Sequence, residues 1–175
     1  IIDFLEKVSQ SSMVMIQVGS HADAYTLFES LNNRGMPLTA VDLIKNKLLA
    51  RLESIEPGRV DHYFGHWNRL LSYLGDDYGI QERFFRQYYN SFREELKDIY
   101  QVPVATRTNL IRIYEKLIDH DAQECLQKIR AAGRLYSLIL LRSQDEAING
   151  LEKPLKDLDR IQGAPSYLLL LYLLV

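Results

Sequence analysis

Cysteine is nearly missing from these 175 residues, with Cys125 standing alone. One thiol excludes an internal disulfide framework and suits a reducing, cytoplasmic setting. An excess of one charge is missing too, since 21 basic and 23 acidic side chains leave a net charge of −2. No global field draws the chain to nucleic acid, so any DNA contact must come from a local patch or another domain. The final apolar run, 167–175, is far shorter than the roughly 20 residues that span a bilayer, and no membrane partner is expected. No signal peptide, fixed-period repeat or low-complexity tract is visible. Neither is a Walker-type loop, a nucleophile elbow or a dinucleotide fingerprint. What is there, 47% apolar and 25% charged residues, is the composition of a globular chain.

Apolar spacing organises most of it into helices. Ile2, Leu5 and Val8 share a face of a short helix at 1–10. The compact apolar run at 13–18 reads as one buried strand, whose hydrogen-bonding partners must lie in a preceding segment. Tyr25, Leu27, Phe28 and Leu31 predict a helix that ends in the polar turn Asn32-Asn33-Arg34-Gly35. Pro37 cannot extend it; Thr39 then caps a second helix, with Asp42 completing a short capping box. Val41, Ile44, Leu48 and Leu52 form that helix's buried stripe, while Lys45, Lys47 and Arg51 face elsewhere. Glu56-Pro57-Gly58 marks a loop and a domain boundary.

Beyond it the pattern is helical throughout. One stripe comprises Val60, Tyr63, Phe64, Trp67, Leu70, Leu71 and Leu74, closed by Gly75. Phe84, Phe85, Tyr88, Tyr89, Phe92, Leu96 and Ile99 form the next, and Val102-Pro103 breaks it. A third carries Leu110, Ile111, Tyr114, Leu117 and Ile118. A fourth, about 122–142, buries Cys125, Leu126, Ile129, Tyr136, Ile139 and Leu140. Shorter helices at 144–162, a Gly163–Pro165 break and a last apolar helix follow. Short loops between such helices predict antiparallel neighbours in a bundle.

The run Phe28-Glu29-x-Leu31-Asn32-x-Arg34-Gly35-x-x-Leu38-x-x-x-Asp42-Leu43-Ile44-Lys45-Asn46 closely resembles the hallmark of the ParB-like domain of GmrSD-type restriction endonucleases. That resemblance implies a bacterial defence protein that cuts modified phage DNA using nucleotide hydrolysis. Its ParB-like domain would carry the nucleotide chemistry, with a helical region next and an HNH nuclease domain last. The family's Asp-Gly-Gln-Gln/His-Arg motif and its HNH cluster are not in this chain. The expectation is therefore a middle piece of a longer protein, missing an N-terminal ParB-like segment and a C-terminal nuclease domain. The fold expected is mainly α. A remnant of a mixed α/β ParB-like domain occupies 1–55, and a helical bundle, truncated at its C-terminus, occupies 56–175. Nucleoside triphosphate and Mg²⁺ are implied for the full-length protein, an NTP-dependent endonuclease and so a hydrolase; this stretch alone is expected to be inactive. The alternative is a helical protein–protein interaction module without nucleotide or DNA chemistry.

Candidate site residues follow from chemistry and spacing. Arg34 offers a planar donor fork suited to phosphate, Asn32 can orient a ligand edge, and Gly35 allows the tight turn; the resemblance implies that together they form a nucleotide-facing corner. The alternative is that Asn32 simply caps the first helix and Arg34 is a solvated turn residue. Lys45, Lys47 and Arg51 could line a DNA backbone, or keep a helix face soluble. His62 and His66 have an i, i+4 spacing that binds zinc, but no third ligand is in register, and no metal is expected. Tyr63, Trp67, Phe84, Phe85, Tyr88 and Tyr89 could stack on bases, yet their helical spacing reads as core. Asp76-Asp77 and Asp157 with Asp159 read as loop and solvent-face acids, and Cys125 as a buried small hydrophobe.

Overall fold

The computed structural model describes residues 15, 38–143 and 150–175. The expected helices at 1–10 and 25–31, the corner of Asn32, Arg34 and Gly35, and residues 144–149 lie outside the described residues. Of the 13–18 run only Met15 is described; it is exposed and outside any strand. The described residues form seven α-helices and no strand: α1 Ala40–Ile55, α2 Val60–Leu74, α3 Tyr78–Leu96, α4 Leu110–His120, α5 Ala122–Ile139, α6 Glu152–Arg160 and α7 Tyr167–Leu174. None is long and apolar enough to cross a membrane.

Local chemistry places the helix ends. Thr39 Oγ1 accepts from Asp42 N at 3.2 Å while Asp42 Oδ2 accepts from Thr39 N at 3.2 Å, the reciprocal box that its spacing predicts. Gly75 closes α2 at φ +76°, a backbone conformation that side chains disfavour. Asp77 caps α3 by accepting from Gly79 N at 2.7 Å. Asp121 ends α4 and starts α5, accepting from Glu124 N at 2.8 Å, so these two helices turn on a single residue. A non-helical Phe92 bends α3 near its end. There the Ser91 hydroxyl bridges the carbonyls of Gln87 and Leu168, each at 2.8 Å, and so pins α3 to α7.

One apolar core runs from Val41 to Leu171. α2 lies along α5, α1 along α4, and α7 rests on both α3 and α5. The core is unusually aromatic: Trp67 stacks on Phe85 at 5.7 Å between ring centroids, and Tyr114 meets Phe85 edge-on at 5.0 Å. Buried hydroxyls are paired, Tyr114 donating to Phe85 O at 2.9 Å and Tyr136 to Gln87 Oε1 at 2.6 Å. The long 97–109 connection is held by Tyr89, whose hydroxyl accepts from Val102 N at 3.0 Å, and by Asn90, which accepts from Ala105 N at 2.7 Å.

Four stripe assignments change at their edges: α3 ends at Leu96, so Ile99 lies beyond it and is half-buried. Phe64 is 39% exposed and Leu71 half-buried, because the face of α2 that meets α5 is narrower, formed by Val60, Tyr63, Trp67, Leu70 and Leu74. On α4 the buried position is Ile113, and Ile111 lies on the flank. The fourth helix stops at Ile139, where Leu140 caps it and Leu141 turns into positive φ.

Candidate functional site

The sequence-predicted site residues do not gather in one place among the described residues. Lys45 pairs with Asp42 at 3.4 Å, and Lys47 reaches Asp119 of α4 at 3.0 Å. Arg51 is exposed on the same helix. Two of the three cations are thus matched by carboxylates, which weakens the field a phosphate backbone would meet. Tyr63, Trp67, Phe84, Phe85, Tyr88 and Tyr89 are all buried, so their faces are spent on packing. Asp77 caps a helix, Asp157 pairs with Arg160 at 3.5 Å, and Asp159 accepts from the Tyr167 hydroxyl at 3.2 Å. Cys125 is buried, and burial pushes its thiol up to about 12, away from any nucleophilic role.

His62 and His66 tell a different story. Helical spacing brings their Nε2 atoms to 3.0 Å, and α5, packed alongside, brings Arg130 onto Nδ1 of His66. A guanidinium can only donate, so that Nδ1 accepts and His66 carries its proton on Nε2, donating it to His62. Burial, followed by the charge of Arg130 and by His62 and Arg69, holds His66 below the ordinary histidine value. His66 is therefore neutral at pH 7.

These groups wall a cavity of about 370 Å³ between α2 and α5, lined by Arg59, His62, Tyr63, His66, Gln123, Leu126, Gln127 and Arg130. One edge is a closed network. Glu56 Oε2 accepts from Arg59 at 2.8 Å and from Tyr63 at 2.7 Å, and its Oε1 accepts from Gln123 at 2.9 Å. The Tyr63 hydroxyl is the chief reason the Glu56 carboxyl titrates below its ordinary value. Of these residues the sequence marked only the histidines and Tyr63 as candidates for chemistry; Leu126 reads there as core and Glu56 as a loop residue. Gln123, Gln127 and Arg130 make a polar stripe at i, i+4 and i+7 along α5, and that spacing was the available signal. Its meeting with the histidine pair depends on how α2 and α5 pack.

In comparisons with protein-family models, curated proteins and solved structures, nothing matches this chain. The functional reading therefore rests on the motif and on the geometry above.

Proposed function

We propose that this chain is the nucleotide-sensing corner and helical scaffold of a GmrSD-type, modification-dependent DNA restriction protein acting in phage defence. The observation that carries the reading is α1. This helix bears the second half of the motif and is embedded in the bundle rather than laid on its surface: Val41, Ile44, Leu48, Leu49 and Leu52 are all buried. A helix anchored so transmits a change at its N-terminal corner to α2, α4 and α5, on which it packs. Asn46, a motif residue, adds support. It is 4% exposed, and its Nδ2 has no acceptor among the described residues. A buried amide left unpaired costs about 1–3 kcal/mol, and a ligand or partner that supplies an acceptor would recover it.

In this reading nucleotide and Mg²⁺ belong to the longer protein, and Asn32, Arg34 and Gly35 face the nucleotide. Arg34→Ala in the intact protein is expected to abolish nucleotide-dependent cleavage of modified DNA. Thermal stability is expected to change by no more than about ±0.5 kcal/mol, as for a substitution that removes no packed contact. Unchanged cleavage with a large loss of stability would make the corner a helix cap and nothing more.

One surface favours the alternative of a protein–protein module. Leu169, Tyr172 and Leu173 of α7 are 58%, 51% and 68% exposed, and the Tyr172 ring lies 5.9 Å from that of Phe92 on α3. Leu169→Glu with Leu173→Glu, followed by sedimentation and restriction assays, separates the two readings. Lost assembly, with no nucleotide-dependent cleavage in the parent protein, selects the module.

A further inference from the structure

The cleft between α2 and α5 gathers basic side chains, of which only Arg59 has a carboxylate partner among the described residues, Glu56 at 2.8 Å. Arg59 and Arg130 enter from opposite helices, Arg69 stands close enough to affect His66, and two imidazoles lie between. The facing acid, Glu56, has both oxygens engaged by Arg59, Tyr63 and Gln123. Arg130 has no carboxylate partner among the described residues, and its donor is turned onto a ring nitrogen of His66. We propose that this cleft is a binding site for a phosphate-class oxyanion carried by a small molecule, held by Arg130, Arg59, His62 and His66. The inference is independent of the nucleotide-facing corner, whose residues are elsewhere in the chain.

The chemistry selects this ligand class over a metal ion. Two Nε2 atoms 3.0 Å apart have a chelating look. The Arg130 contact, however, fixes the proton of His66 on Nε2 and so removes that nitrogen as a ligand. No group of three ligating side chains exists among the described residues, and nearby guanidiniums repel a dication. An oxyanion reverses each objection. It gives the Arg130 fork an acceptor of matching geometry and releases His66 Nδ1 to take up a proton, after which both imidazoles can donate. The 370 Å³ volume, at the lower end of small-ligand pockets, admits a phosphate with a modest organic group. Tyr63 and Leu126 supply the apolar wall.

The test is calorimetric titration of the full chain with sulfate, inorganic phosphate, pyrophosphate, a nucleoside triphosphate, a short DNA duplex and Zn²⁺, at about pH 6 and about pH 8. Sulfate keeps a constant charge over this range, so any pH dependence it shows belongs to the protein. Charged groups facing His66 are His62 and Arg69 on α2 and Arg130 on α5, and each opposes its protonation in the free cleft. Oxyanions are expected to bind with proton uptake and to bind more tightly at the lower pH, by up to about tenfold per unit for one proton. Arg130→Gln should weaken them about tenfold or more, and His66→Gln should flatten the sulfate pH dependence. Arg59→Gln, at an exposed position, repeats the affinity test without disturbing the helix contact. No binding of any small oxyanion overturns the proposal, as do binding untouched by both arginine variants, tighter binding of Zn²⁺, and binding of the DNA duplex alone.

Discussion

At the scale of single residues, burial decides what each side chain can do. Trp67 is 1% exposed and stacked on Phe85, so its surface contributes packing rather than contact with a base. Trp67→Ala is expected to destabilise the fold by roughly 3–5 kcal/mol in chemical denaturation. A variant that melts like the parent while losing affinity for DNA would restore the base-stacking reading. Cys125 presents the same logic in its reactivity. With its thiol buried and pushed up to about 12 by that burial, it should resist alkylation at about pH 8 in the native state. It should react fully once denaturant exposes it, and a mass-spectrometric time course measures both rates.

At the scale of helices, the most extensive packing among the described residues is between α2 and α5. Gly133 lets Leu70 of α2 sit against α5, because a Cβ there would collide with Leu70 Cδ1. Gly133→Ala sets two effects against each other. Helix propensity favours Ala by about 1 kcal/mol, while overpacking a filled interface costs about 1–3 kcal/mol. Leu70 is fully buried with little room to yield, so a net destabilisation of about 1 kcal/mol is expected. Because this contact also sets the width of the cleft, the same variant should weaken oxyanion binding. A stabilised variant would mean that Leu70 repacks freely.

At the scale of the whole molecule, stability should depend on pH through the cleft. His66 titrates below its ordinary value in the fold. As pH falls below about 6.5, the unfolded chain takes up a proton there more readily than the native one, so stability declines. Glu56, whose native value is also lowered, acts in a second and more acidic window: its contribution is present above the ordinary carboxylate range and lost as pH falls through its native value. Denaturation midpoints between about pH 8 and pH 4 should fall monotonically, and His66→Gln should remove the first decline only. Stability that rises on mild acidification would contradict the assigned proton arrangement of His66.

The amino-acid sequence by itself determined the helices. Thr39 and Asp42 are three residues apart, so their capping box closes without help from elsewhere. The apolar period of 60–74 and 110–118 names nearly every buried residue of α2 and α4 because helical phase is a local property. Loop chemistry at Glu56-Pro57-Gly58 and at Gly75 is equally local. Local phase fails where the width of a buried face depends on its neighbour, which is why Phe64 stays exposed and Ile113 is buried. The motif and its corner are legible only as sequence, since their first half lies outside the described residues. The cleft is the converse. His66 and Arg130 are 64 residues apart and belong to different amphipathic patterns, neither of which specifies the other. Their contact exists because the Leu70–Gly133 approach sets α2 against α5, and that approach brings the polar flanks of both helices to one cavity. Periodicity reports which face of a helix is buried. Only the packed bundle decides which charged residues face each other across it.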